Sequence, residues 1–305
     1  MIKLPDKDVM RARRFQTTLN GPCSVSGRGY WTGAPVTVTF LPAPADSGIC
    51  FFRDDIPHFP SVDALATSRV GMPMRTGLKA DECEVDMVEH IMSALYGLQI
   101  DNAEVHVTSP EMPGMDGSSL AYVLALDSVG KTQLRSRRET FCVRETLRVA
   151  NGRSWIEVHP TGSSRLEIEY RLDYGKDSSI GCATFEIALN EDNYYHQVAP
   201  ARTFISQAEA ESLQSQGLAR HVTERDLLVF GDEGPINNQL RFADECARHK
   251  ALDLIGDLAL AGIDVIGRVV AYRSGHQLNG QMAEMIRTVY EADINVASSR
   301  SRKVA

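Results

Sequence analysis

No Cys-x-x-Cys pair occurs in the chain, and the six cysteines (Cys23, Cys50, Cys83, Cys142, Cys182 and Cys246) are scattered along it. That pattern excludes a disulfide framework and a thiolate-built zinc site, so all six read as reduced, buried thiols. Long apolar runs are lacking as well; none approaches the roughly 18 residues that a membrane span requires. Met1-Ile2-Lys3-Leu4-Pro5-Asp6-Lys7 leads into no apolar stretch, so a secretory leader is not read there. A cytoplasmic protein without stable membrane insertion is the expectation. Positive charge is in deficit too: the formal net charge of −8 argues against a nucleic-acid partner, which needs a basic surface. A phosphate-bearing small molecule stays open, because it needs only a local basic pocket.

What is present describes an ordinary globular protein, with 43% hydrophobic and 24% charged residues over 305 positions. That length predicts two domains. Val36-Thr37-Val38-Thr39-Phe40 alternates as a strand that Pro42-Ala43-Pro44 ends. A helix is expected from about Met87 to Tyr96, then a strand over Ala103–Val107 and a turn at Pro113–Gly117. Ser118 reads as the N-cap of a helix reaching Leu126. The polar stretch Gly130–Arg138 reads as the linker, dividing residues 1–134 from residues 135–305. Beyond it, strands are expected near Thr140–Val149, Ser154–His159 and Arg165–Leu172. Ser206-Gln207-Ala208-Glu209 is a capping box opening a short helix that closes near Gly217. A long helix over about Ala243–Ala261, ended by Gly262, precedes a strand over Val265–Tyr272. His90 and His249 each sit early on a helix that leads through a short loop into a strand. The halves are therefore read as similar α+β units with facing helices.

The most informative segment is Arg248-His249-Lys250-Ala251-Leu252-Asp253-Leu254-Ile255-Gly256-Asp257. Residues four apart stack on a helix, so His249, Asp253 and Asp257 form one polar stripe among apolar neighbours. Such a stripe is costly to bury unless its charges are paired or bind a metal. A His–Asp hydrogen bond in a core is one outcome; a zinc held by the imidazole and carboxylate is the other. Glu89-His90 supplies a natural third ligand in His90, with Glu89 placed as a general base. His276, expected on a loop after Ser274-Gly275, is suited to donate a proton to a departing amine. His58, His106, His159, His196 and His221 have no partner at metal-ligand spacing and read as structural or solvent-facing.

Together these segments resemble the UDP-3-O-acyl-N-acetylglucosamine deacetylases, zinc enzymes of lipid A synthesis. The resemblance rests on Val88-Glu89-His90, Met115-Asp116-Gly117-Ser118, Ala201-Arg202-Thr203-Phe204 and Arg248-His249-Lys250-x-x-Asp253-x-x-Gly256-Asp257-Leu258. Leu41-Pro42-Ala43-Pro44 and Ser274-Gly275-His276 also fit, and the blocks run in family order from about Phe15 to Met285. It implies two α+β domains, each a small sheet with paired helices, stacked as a β-α-α-β sandwich. It implies a monomer that takes an acylated UDP-amino sugar and releases its N-acetyl group. Zn2+ would be held by His90, His249 and Asp253, with Glu89 as base and His276, oriented by Asp257, as acid. Thr203 would stabilise the oxyanion, and Lys250 and Arg273 would face the diphosphate. Phe204 opens the insert, near residues 204–217, that would line an apolar passage for the acyl chain. Two further readings remain open: a relative acting on a different acylated or nucleotide-linked amino sugar, and a zinc-retaining binding protein. The chain departs from the family pattern at Gly29-Tyr30-Trp31-Thr32-Gly33, where Trp31 replaces a usual His, at Met87 in place of Thr, and at Cys246-Ala247 in place of a bulkier pair.

Overall fold

A computed structural model describes residues 14–302, so the reading of Met1–Lys7 as no leader lies outside the described residues. The alternation of Val36, Val38 and Phe40, all buried, against Thr37 and Thr39 makes Pro35–Pro42 a strand with one apolar face. It lies second in a five-stranded sheet ordered Cys23–Arg28, Pro35–Pro42, Ala103–Val107, Ile49–Arg53 and Ser61–Asp63. Ala103–Val107 runs parallel to Ile49–Arg53, and the other neighbours are antiparallel. The second sheet repeats this plan as Leu147–Asn151, Ser154–His159, Asp264–Tyr272, Leu166–Asp173 and Cys182–Ala188. Its parallel pair is again the late-arriving strand, Asp264–Tyr272, with Leu166–Asp173. A further short strand, Thr140–Cys142, runs parallel to the other end of Asp264–Tyr272.

The described helices are α1 (Glu89–Gly97), α2 (Leu120–Val129), α3 (Glu191–Gln197), α4 (Gln207–Ser215), α5 (Glu245–Ala259) and α6 (His276–Arg302). In each half the helix that feeds the central strand, α1 or α5, carries the polar site residues. These two pack on one another more extensively than any other pair of helices; α5 lies against Leu166–Asp173 and Cys182–Ala188 of the second sheet, and α2 against Cys23–Arg28 of the first. The architecture is the expected β-α-α-β sandwich. Gly256 explains how the two backbones come so close: a Cβ there would lie 2.0 Å from the Glu89 carbonyl oxygen. A glycine inside a helix costs about 1 kcal/mol, and here it is what admits the neighbouring chain. Around this contact α5 is buried on nearly every side, Leu252, Leu254, Ile255 and Leu258 each contributing roughly 1.5–3 kcal/mol of apolar burial.

Four expectations differ from the structure in instructive ways. The segment read as a linker holds a strand, Lys131–Arg137, antiparallel to Phe15–Leu19. Both its faces are largely wetted, so it lacks the apolar alternation by which strands are recognised. The helix expected from Met87 begins at Glu89, because Met87 has φ +60 and cannot be helical. Ser119, not Ser118, occupies the N-cap of α2; Ser118 Oγ instead accepts the Leu120 N–H at 3.2 Å. His276, expected on a loop, is the first residue of α6.

Candidate metal centre and its surroundings

Among the described residues, one group of His, Cys, Asp and Glu side chains has the spacing to hold a metal ion: His90, His249 and Asp253, their ligand atoms within 4.8 Å of one another. His90 comes from the first turn of α1, and His249 and Asp253 come from one face of α5. The imidazoles meet nearly at right angles, with ring centroids 5.1 Å apart. His249 Nδ1 donates to the Ala201 carbonyl at 3.1 Å, which leaves Nε2 as the atom that faces the cluster. Asp253 Oδ1 then lies 3.3 Å from His249 Nε2 and 3.6 Å from His90 Nε2. Those separations exceed good N–H···O distances. Two imidazole nitrogens and a carboxylate oxygen, fully buried and converging without closing on each other, fit the donor chemistry of zinc.

The electrostatics keep His249 neutral and Asp253 ionised, the forms that a cation would take. Burial pulls the His249 imidazole below its usual range despite the attraction of Asp253. Burial works against ionised Asp253, but His249 and Lys250 outweigh it and hold the carboxyl well below the usual carboxylate range. Lys250 donates to Asp253 Oδ2 at 2.7 Å. It therefore braces the second oxygen of the aspartate while it lines the pocket.

Beside the cluster stand two groups suited to proton transfer. Glu89, buried at the same cavity, accepts the Thr76 N–H on Oε2 at 3.0 Å. Burial pushes its carboxyl up to about 7, with Asp257 and Asp253 adding to the rise and His276 opposing it. His276 donates from Nδ1 to Asp257 Oδ2 at 3.0 Å, leaving Nε2 3.9 Å from Asp253 Oδ2. Burial alone would lower this imidazole, yet the Asp257 charge and hydrogen bond dominate and raise it to about 9. A carboxylate poised to accept and an imidazolium poised to donate thus share one pocket.

That pocket has a volume of about 1040 Å³. Thr203, Phe204, Lys250 and Arg273 all line it. Thr203 is pinned by its backbone, donating to Gly117 O at 2.7 Å and accepting from Leu228 N at 2.9 Å. Gly117, in the Met115–Ser118 block, has φ +82, and a Cβ there would press on Thr203 at 3.0 Å. The Phe204 ring stands edge-on to His249 with centroids 6.3 Å apart. Arg273 is half-exposed, its guanidinium 3.8 Å from Asp173. Arg202, next to Thr203 in the sequence, is instead buried in an ion pair with Glu245 at 2.8 Å, which anchors the start of α5.

Several residues of the site escaped sequence reasoning. Arg75 stacks over the Trp31 ring at 4.5 Å, and both line the pocket. The Trp31 and Thr32 N–H groups are held by the Glu111 carboxylate at 2.6 and 2.9 Å. Thr76 touches both Glu89 and Asp257. None belongs to a spacing pattern, and Trp31 alone gave a signal, through its departure from the family motif. The five remaining histidines take part in no metal-spaced group among the described residues; His106, for one, is paired with Asp54 at 2.8 Å and stacked on Phe52.

A sandwich of two matched halves, with a His-His-Asp cluster flanked by a carboxylate and a His–Asp pair, defines a hydrolytic enzyme built around a candidate metal centre. Residues 16–288 match the family described as LpxC, UDP-3-O-acyl N-acetylglycosamine deacetylase, and the chain belongs to that family. Curated proteins named UDP-3-O-acyl-N-acetylglucosamine deacetylase from Brucella ovis, Brucella canis and Brucella suis are each 38% identical to it over 274 residues, covering 89% of this chain and 95% of theirs.

Proposed function

We propose that this chain removes the N-acetyl group from a UDP-3-O-(3-hydroxyacyl)-N-acetylglucosamine, an early step of lipid A synthesis. The observation that carries the reading is the convergence of Glu89 and the His276–Asp257 pair on the pocket that holds His90, His249 and Asp253. In this reading His90, His249 and Asp253 hold Zn2+. When bound there, zinc would act as a Lewis acid and make water acidic near pH 7. Glu89 takes the proton of the water that adds to the acetyl carbonyl. His276 gives its Nε2 proton to the glucosamine nitrogen as the C–N bond breaks, and acetate and the free amine leave. Asp257 holds the imidazole in the orientation that presents Nε2. Thr203, fixed by its two backbone hydrogen bonds, offers its hydroxyl to the developing oxyanion. Lys250 keeps Asp253 oriented while its charge, with that of Arg273, favours the diphosphate side of the substrate. Phe204 opens the insert that accommodates the acyl chain.

The reading extends to a monomeric cytoplasmic enzyme whose domains divide at residues 134 and 135. Among the described residues no helix is long and apolar enough to cross a membrane. A second reading, a relative acting on another acylated or nucleotide-linked amino sugar, is favoured by one observation: the Trp31–Arg75 stack adds bulk and positive charge to the pocket wall. Acetate release from the acylated and non-acylated nucleotide sugars separates the two. Turnover restricted to the acylated UDP sugar supports the first; no release from it, with release from another amino sugar, establishes the second.

A further inference from the structure

Thr76 is 1% exposed and lies outside the segments on which the resemblance rests, yet it makes three separate ties at the heart of the site. Its N–H donates to Glu89 Oε2 at 3.0 Å. Its hydroxyl donates to Asp257 Oδ1 at 2.5 Å. Its carbonyl accepts from Val88 N, the N-cap residue of α1, at 3.3 Å. Glu89 and Asp257 belong to different halves of the molecule, on α1 and α5. Thr76, just ahead of the strand Gly77–Ala80, is the residue that touches both carboxylates.

We infer that Thr76 is a positioning residue that holds the proton-accepting Glu89 and the proton-donating His276 in one frame. The inference rests on the roles proposed above for those two groups. A carboxylate can turn about its terminal torsion at little cost, and Asp257 is no exception unless both oxygens are tied. On one oxygen it receives His276 Nδ1 at 3.0 Å and Asn279 Nδ2 at 2.9 Å; on the other it receives the Thr76 hydroxyl. Fixing the carboxylate plane fixes the imidazole that donates to it, and so the direction in which Nε2 faces the pocket. The same residue fixes Oε2 of Glu89, which leaves Oε1 as the free end of the base. Loss of such a tie displaces a reacting group by a fraction of an ångström to an ångström, a shift that can cost up to about 10²-fold in rate. Because the site is buried, water has no ready access to replace the lost donor.

Thr76→Val keeps the size and the backbone N–H and removes the hydroxyl, whereas Thr76→Ser keeps the hydroxyl. With the zinc-loaded chain, Thr76→Val should lower kcat about 10- to 100-fold while KM and zinc content stay within about twofold. Thr76→Ser should recover to within about threefold of wild type. In NMR spectra of 15N-histidine-labelled protein, the His276 ring signals should move in Thr76→Val and stay in Thr76→Ser. Should Thr76→Val not fold, Thr76→Ala carries the same comparison. Wild-type kcat and unmoved His276 signals in the hydroxyl-less variant overturn the inference, as does an equal loss of kcat in the serine variant. If the wild-type chain itself releases no acetate, the functional reading fails on its own, and the His276 spectra still decide whether Thr76 positions that ring.

Discussion

At the scale of single residues the proposed function assigns metal holding and proton transfer to different side chains, and that division can be measured. Glu89 and His276 do not belong to the His-His-Asp cluster, so Glu89→Gln and His276→Ala should each lose about 10² to 10⁴ in kcat while the zinc content stays near one per chain. Glu89→Gln with near-normal turnover would remove it as the base. Asp86 offers a stability test away from the ligands. Burial, reinforced by Glu111 and Glu89 and only partly relieved by Arg75, pushes its carboxyl up to about 6. Arg75 Nε is 3.3 Å away, but neither that nitrogen nor Asp86 Oδ1 makes an aligned hydrogen bond. A carboxyl whose folded pKa is raised contributes its stability below the unfolded value near 4, and that contribution is lost as pH climbs through about 6. Two units correspond to roughly 3 kcal/mol at most, and sharing with its acidic neighbours brings the expected effect to about 1–2 kcal/mol. Asp86→Asn should therefore be more stable than wild type by that amount at pH 7.5 and equal to it at about pH 3, below the unfolded value, in denaturant unfolding. Equal midpoints at both pH values would contradict the environment described for Asp86.

At the scale of elements, α4 is the segment that depends most on local chemistry. It has nine residues, none buried, and a full capping box in which Ser206 and Glu209 satisfy each other's backbone N–H. A helix that short is marginal without packing or a cap. Ser206→Ala removes about 1 kcal/mol of capping, so amide exchange across residues 207–215 should rise about fivefold while the melting temperature of the whole chain barely moves. Unchanged exchange would show that the strand Phe204–Ser206, not the cap, supports the helix. The capping box was legible because its two residues, Ser206 and Glu209, are three apart in sequence. The strand Ala103–Val107 and the stripe of His249, Asp253 and Asp257 were legible for the same kind of reason: a short period and a burial pattern that follows it. By that standard α6 should have been legible too, since Leu278, Met282, Ile286 and Tyr290 recur every fourth residue and are all buried. Lys131–Arg137 was not, because an edge strand wetted on both faces carries no hydrophobic period. Thr76 was not, because its partners lie 13 and 181 positions away and no spacing rule reaches that far. The approach of His90 to His249 is equally nonlocal; the matched placement of the two histidines early on their helices hinted at it, and the resemblance to a family made it specific.

At the scale of the whole molecule, the two matched sheets are joined by single ties such as Thr76–Asp257 and Thr203–Gly117 and by two larger junctions. One is an ion cluster in which Arg14 meets Asp101 at 2.6 Å and Asp264 at 2.8 Å, with Arg138 completing it at 3.1 and 3.2 Å. The other is the α1–α5 contact, where the backbone passes against Gly256 and the buried side chains of His90, His249 and Asp253 converge. That second junction sets Asp253 Oδ1 opposite two imidazole nitrogens at separations longer than good hydrogen bonds, a spacing that suits a shared cation. A cation bound there would join His90 of one half to His249 and Asp253 of the other, and its binding free energy would add to the stability of the folded chain. At free zinc one hundred times the dissociation constant that addition is about 2.7 kcal/mol. Removing the metal with a chelator should thus lower the unfolding midpoint, and restoring zinc should recover it in step with metal content. His90→Ala and Asp253→Ala should lose most bound zinc, and with it the sensitivity of their midpoints to chelator. An unfolding midpoint indifferent to chelator in the wild-type chain, or full zinc content in both variants, would place the metal elsewhere and leave the buried cluster as a hydrogen-bonded core.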